Sequence, residues 1–308
     1  MKKTAIILAL ILLLSGCASH QGENRTLFAM DTVMEISVWG EDRILAVDEV
    51  EKLIRELEQQ WSATLPGSML SRLDEDTVLQ GEDLRFMEQV ESLSKQTNGA
   101  FDPRLGSLIR AWGFLDGNYR VPTAEERQIA LRKKEWNLGA VVKGYAGRRA
   151  VELLEAMDVD RAILNLGGNV QTYGQKEDGS PWIIGIQNPN GGDPVGTVSV
   201  NGTCAVVTSG DYQRYFEEDG VKYHHILDPG TGMPADSGLV SVTVISKDGV
   251  LADAMSTALM VVGLEDAIDL WRSCDDFEAV LILSDGSIYA TEGAHLNGCE
   301  FQVIAREN

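Results

Sequence analysis

YHHILDPGTGMPADSGLVSVTVISKDGVLADAMSTALMVVG, residues Tyr223 to Gly263, holds a histidine pair, an Asp-Pro-Gly-Thr-Gly turn, an apolar strand and an apolar helix. After Leu251 the residues are Ala, Asp, Ala, Met, Ser, Thr, Ala, Leu, Met, Val and Val, so this helix is apolar almost all round and belongs in a core. Asp253 and Thr257 lie four apart, on one of its faces. A carboxylate there needs a partner, because a buried unpaired charge costs several kcal/mol or forces protonation. Two readings satisfy it. A hard cation such as Mg²⁺ could be held by oxygen ligands. Alternatively, Asp253 could cap the first turn of its own helix while Thr257 bonds back to the carbonyl of residue 253.

Outward from this stretch, the 308 residues suffice for a sizeable core. The chain opens with Lys2 and Lys3, an apolar run from Thr4 to Leu14 and then Leu14-Ser15-Gly16-Cys17, the pattern of a bacterial lipoprotein signal. Residues 1–16 therefore read as a signal peptide, Cys17 as the lipidated first residue of the mature chain, and 17–24 as a tether. The folded domain is expected over 25–308. No later stretch is long and apolar enough to span a membrane.

The net charge is −21, and −23 without Lys2 and Lys3. Such a surface repels nucleic acid, and no basic patch argues otherwise. It also repels phosphate esters, so a pyrophosphate ligand would need a metal, a lysine or backbone amides. Cys204, Cys274 and Cys299 have no CxxC spacing, which leaves room for one disulfide at most and gives no zinc motif.

In chain order, residues 33–39 read as a strand, and Ile44, Val47, Val50, Ile54 and Leu57 recur at helical spacing. A second helix, from about Glu82, ends at the C-cap signal Asn98-Gly99. Phe101 reads as core and Asp102 as a turn residue before Pro103. Thr123 and Glu126 form a capping box. Lys143 stands at the start of a further helix, where a cation opposes the helix dipole unless an anion binds there. Asn165-Leu-Gly-Gly follows a strand, and paired glycines suit a tight turn or a backbone brought close to a ligand. Strands outnumber helices without regular alternation, so the fold class is α+β, with mixed, largely antiparallel sheets and packed helices.

Seven segments carry a resemblance: Met30-Asp-Thr32, Gly99 to Pro103, Leu138 to Tyr145, Asn165 to Gly168, Thr208 to Asp211, His225 to Gly232 and Ala252 to Thr257. In this order they resemble the ApbE family of FAD:protein FMN transferases. The resemblance implies transfer of FMN from FAD to a Thr or Ser hydroxyl of an acceptor flavoprotein, as a phosphoester, with release of AMP. It implies Mg²⁺ on Asp253, Thr257 and the carbonyl of Ala140, in preference to the cap reading. It places the flavin and its phosphates among Met30, Thr64, Ala100, Phe101, Asp102, Asn137, Lys143, Thr208 and His224. His225 would be the general base and Asp228 would orient it.

Three positions depart from the family pattern: Asn137 and Arg148 stand where Asp is frequent, and Thr64 where an aromatic residue is frequent. Two other activities remain open on the same residues. One is hydrolysis of FAD to FMN and AMP; the other is flavin or solute binding without turnover, as in many lipoproteins. The expected location is the outer face of the bacterial cell membrane, through the lipid on Cys17.

Overall fold

From Glu23 to Gly40 the chain doubles back on itself, pairing strand β1 (Glu23–Ala29) with β2 (Thr32–Gly40) in antiparallel register. The structure is a computed structural model that describes residues 22–73 and 77–306. The signal segment and Cys17 lie outside the described residues. Glu23 and Asn24, expected in the tether, already belong to β1, where they face Val38 and Ser37.

Helix α1 (Arg43–Trp61) turns Ala46, Val47, Val50, Ile54, Leu57 and Trp61 inward; of the predicted stripe only Ile44, in the first turn, stays exposed. Helix α2 (Gly81–Gln96) ends where expected, with Asn98 and Gly99 left-handed at φ 51° and 82°. The short α3 (Gly106–Ala111) precedes α4 (Ala124–Arg132). The predicted capping box opens α4: Glu126 N–H donates to Thr123 Oγ1 at 3.2 Å, and Thr123 N–H donates to Glu126 Oε2 at 2.7 Å.

Next come α5 (Val142–Glu155), β3 (Val159–Asn165), β4 (Asn169–Tyr173), β5 (Trp182–Ile186), β6 (Gly196–Val200) and β7 (Cys204–Gly210). A hairpin, β8 (Tyr215–Glu218) and β9 (Val221–His224), leads to β10 (Leu239–Ser246), α6 (Gly249–Val262) and α7 (Leu264–Arg272). The chain closes with β11 (Phe277–Leu283), β12 (Ile288–Thr291), β13 (Leu296–Asn297) and β14 (Gln302–Ile304).

Nine strands form one sheet in the order β1-β2-β3-β4-β7-β10-β11-β12-β14, antiparallel at every step except β12 with β14. Its two faces bury different partners. Ala205 and Val207 of β7 join the helices in the larger core, whereas Cys204 and Val206 face a three-stranded sheet, β13-β6-β5. Covered on both sides, β10 is buried at all but one of its residues, its Ser and Thr positions included. The fold is thus α+β, as expected. Cys204, Cys274 and Cys299 are free thiols.

Helices α5 and α6 cross at Gly144 and Gly249. A Cβ on Gly144 would stand 2.0 Å from the Gly249 carbonyl oxygen, so only glycine permits this approach. That crossing brings the start of α5 against the second turn of α6.

Candidate active site

Asp248 caps α6, accepting the N–H groups of Val250 at 2.8 Å and Leu251 at 3.3 Å. The cap reading for Asp253 is therefore overturned, because Asp253 lies further along, in the helix proper. Its carboxylate, 4% exposed, serves another helix: Oδ2 accepts Gly144 N–H at 2.9 Å, in the first turn of α5. The expected back-bond to the carbonyl of residue 253 is made by Ser256 Oγ at 2.9 Å instead of Thr257. Thr257 Oγ1 lies 3.5 Å from Ser209 Oγ, which is 2.8 Å from Ser256 Oγ.

These groups stand on the wall of a cleft of about 550 Å³. Asp253, Thr257 and Ser209 form one side, with Asn137, Ala140 and Lys143 from the approach to α5 and its first turn. Met30 enters from the β1–β2 turn, Thr64 from the loop after α1, and Ala100, Phe101 and Asp102 from the loop after α2. Thr208 and the double glycine Gly167-Gly168 face it from strand ends. Local bonds shape these walls. Asn137 Oδ1 accepts Gly139 N–H at 2.9 Å, while Asp102 accepts Arg104 N–H at 2.8 Å and Lys134 Nζ at 2.9 Å. Phe101 is at once core and wall, 2% exposed.

The histidines part company. His225 lines the cleft; His224, 7% exposed, does not, and its Nε2–H donates to the Ala235 carbonyl at 3.0 Å. Burial lowers the pKa of His224. The placement of His224 among the ligand contacts is corrected accordingly: β9 alternates, so adjacent residues point to opposite sides. His225 Nδ1 lies 3.1 Å from the Arg214 carbonyl, which can only accept, so Nδ1 carries the proton and Nε2 keeps its lone pair. Burial first, then the Arg214 guanidinium, pushes His225 down to about 3. Asp228 does not orient it. Its oxygens are taken by Gly230 N–H and Thr231 Oγ1 within their own turn, each at 2.8 Å.

Arg214 and Asn169 line the cleft and escaped the motif reading, unlike Lys143. Arg214 and Lys143 are the cations on the wall, against Asp31, Glu58, Asp102 and Asp253. In so acidic a chain they mark where a phosphate can rest. No motif announced Arg214; it precedes an ordinary hairpin. Asn169 could have been found, since it directly follows the paired glycines. It pairs with Val207 on the helix side of the sheet, is 3% exposed, and neither of its amide atoms has a partner among the described residues. A buried amide without a partner beside Ser209, Asp253 and Thr257 indicates a site shaped for a polar guest. Carboxylate, hydroxyl and backbone carbonyl oxygens are the donors a hard cation takes, and Asp253 has no ion pair among the described residues. The residues present fit Mg²⁺.

An α+β fold whose helix start, glycine turn and carboxylate-bearing helix converge on one cleft defines a protein able to hold a phosphorylated ligand. The chain belongs to the ApbE family, whose model matches residues 30–281. It is 32% identical to a Treponema pallidum FAD:protein FMN transferase, over 80% of each chain. It is 30% identical to the Vibrio cholerae protein of the same name, over 86% of this chain and 89% of that one. The fold matches the crystal structure of a Thermotoga maritima ApbE protein with a TM-score of 0.80 at 30% identity, covering 88% of this chain and 97% of the other. The apo flavinyl transferase ApbE of Pseudomonas stutzeri gives 0.76 at 30% identity, covering 88% and 95%.

Proposed function

We propose that this protein transfers FMN from FAD to a Thr or Ser hydroxyl of an acceptor flavoprotein. The observation that carries the reading is the meeting of Asp253, Thr257, Ala140, Lys143 and His225 in one cleft, in a chain similar to proteins named for this activity. In the reaction, the acceptor oxygen bonds to the FMN phosphorus as the bond from that phosphorus to the AMP oxygen breaks. AMP leaves, and the hydroxyl proton passes to a base.

His225 is the base we assign. Its Nε2 is the unprotonated ring nitrogen, fixed by the Nδ1–H bond to Arg214. The carboxylate of Asp253, the Thr257 hydroxyl and the Ala140 carbonyl would hold Mg²⁺. When bound, Mg²⁺ supplies charge neutralisation on the pyrophosphate. Lys143 and Arg214 favour the same anion, and Gly167-Gly168 lets backbone approach the ligand. Met30, Thr64, Ala100, Phe101, Asp102, Asn137 and Thr208 shape the remaining contacts with the flavin nucleotide.

The anchor belongs to the same reading. With Cys17 lipidated, the domain would stand close to the outer face of the bacterial cell membrane, because β1 starts at Glu23. Its acceptor would then be an extracytoplasmic flavoprotein or a subunit of a membrane redox complex. Transfer is tested by incubating protein, FAD, Mg²⁺ and an acceptor carrying a reactive Thr. Covalent flavin on the acceptor supports the proposal; FMN and AMP with an unmodified acceptor would indicate hydrolysis.

A further inference from the structure

Met30 and Asp31 make the β1–β2 turn, both left-handed, with φ of 49° and 59°. Turns of this hand match the twist of a hairpin, yet they favour Gly, Asn and Asp because a Cβ crowds the neighbouring carbonyl. Asp31 fits that preference; Met30, a long side chain with no local hydrogen-bonding group, does not. Something outside the turn must hold it. Met30 N–H donates to Glu58 Oε1 of α1 at 2.6 Å, a short bond of the kind a carboxylate makes. From the other side Thr32 packs on Gly167, where a Cβ would lie 2.3 Å from Thr32 Oγ1. Glu58 and the turn residues all line the cleft.

We infer that Glu58 is a positioning residue whose carboxylate clamps the strained Met30–Asp31 turn in its ligand-ready shape. The inference rests on the flavin reading of the cleft. Strain kept at a binding site persists only where the surroundings over-determine it, and here Met30 packs against the core while one carboxylate and one glycine contact fix the turn's backbone. Released, the turn would populate other conformers, and apparent affinity falls by the fraction that remains competent. The loss therefore falls on FAD affinity and KM, with kcat little changed.

The test compares the purified protein with Glu58→Ala, Glu58→Gln and the double variant Glu58→Ala/Asp31→Gly. Amide exchange at Met30 without ligand, FAD affinity by flavin fluorescence, and KM and kcat are measured on each. Glu58→Ala should speed Met30 exchange and weaken FAD binding by about tenfold or more, with Glu58→Gln in between, since an amide oxygen still accepts. Adding Asp31→Gly should recover part of the loss, because glycine removes the left-handed cost that remains at the second turn position (φ 59°), which Asp lowers without abolishing. A merely structural Glu58 would lower thermal stability without this rescue. Unchanged Met30 exchange, a loss confined to kcat, or no recovery in the double variant would overturn the inference. If the unaltered protein binds no FAD while Glu58→Ala still frees the Met30 amide, the clamp stands as geometry, and its role in FAD binding falls together with the flavin reading.

Discussion

Asp253 Oδ2 accepts the Gly144 N–H at 2.9 Å, so a carboxylate on α6 closes the first turn of α5. One oxygen is held by backbone at the positive end of a helix, and the carboxylate is thereby fixed beside Ala140 and Lys143. The approach depends on Gly144 having no side chain. Gly144→Ala would drive a methyl group into the Gly249 carbonyl and the Asp253 Cβ, at 2.0 and 2.9 Å. We expect a loss of about 1–3 kcal/mol in stability from overpacking, read by denaturant unfolding, together with a higher Mg²⁺ concentration needed for half-maximal turnover.

Asp253→Asn keeps the shape and removes the charge. Transfer should fall about a hundredfold or more, in line with the loss of a principal electrostatic group at a reacting phosphate. Circular dichroism should show the fold retained, and activity within a few-fold of the unaltered protein would remove Asp253 from the cation site.

Chelation gives a second test. EDTA should abolish transfer, and Mg²⁺ should restore it. Ca²⁺ should restore less, since it prefers longer bonds and more ligands than a compact carboxylate, hydroxyl and carbonyl set offers. Full activity in EDTA would contradict the assignment.

The helix that carries Asp253 can be weakened without touching the cleft. Asp248→Ala removes the cap on Val250 and Leu251 and the bond from Gln89 Nε2 at 2.6 Å. Thermal or denaturant unfolding should report about 1–2 kcal/mol of lost stability.

The pH profile follows from His225. A proton there blocks the base, and with its pKa pushed down to about 3 the neutral form dominates from about pH 4 upward. No acid limb from His225 is expected between pH 5 and 9. Stability shows the same shift with its sign: the unfolded histidine, near 6.5, binds a proton that the folded one refuses. Folding should therefore weaken as pH falls from about 6.5 towards 3. A limb near pH 6.5 that disappears in His225→Gln would show that the imidazole is not suppressed.

Much of this was legible in the chain. The periodicity of α1, the capping box at Thr123, the C-cap at Asn98-Gly99 and the presence of a strand at β10 all follow from local pattern and composition. Long-range pairing was not legible. That Asp253 would serve α5 and not its own helix depends on two glycines, 144 and 249, which are far apart in sequence and touch only in the fold. His224 and Asp228 were misplaced because a motif gives order along the chain and not direction of side chains. Strand alternation turns His224 inward, and an Asp before Pro-Gly bonds its own turn. Arg214 and Glu58 reach the cleft from elements that look unremarkable in sequence.

Transfer of FMN to protein can be read directly on the acceptor. The protein from Cys17 onward is incubated with FAD, Mg²⁺ and a Thr-bearing acceptor, and the intact mass of the acceptor is read. An FMN-sized gain that requires Mg²⁺ and vanishes with Asp253→Ala is the predicted result. An acceptor of unchanged mass while FMN and AMP accumulate would contradict it.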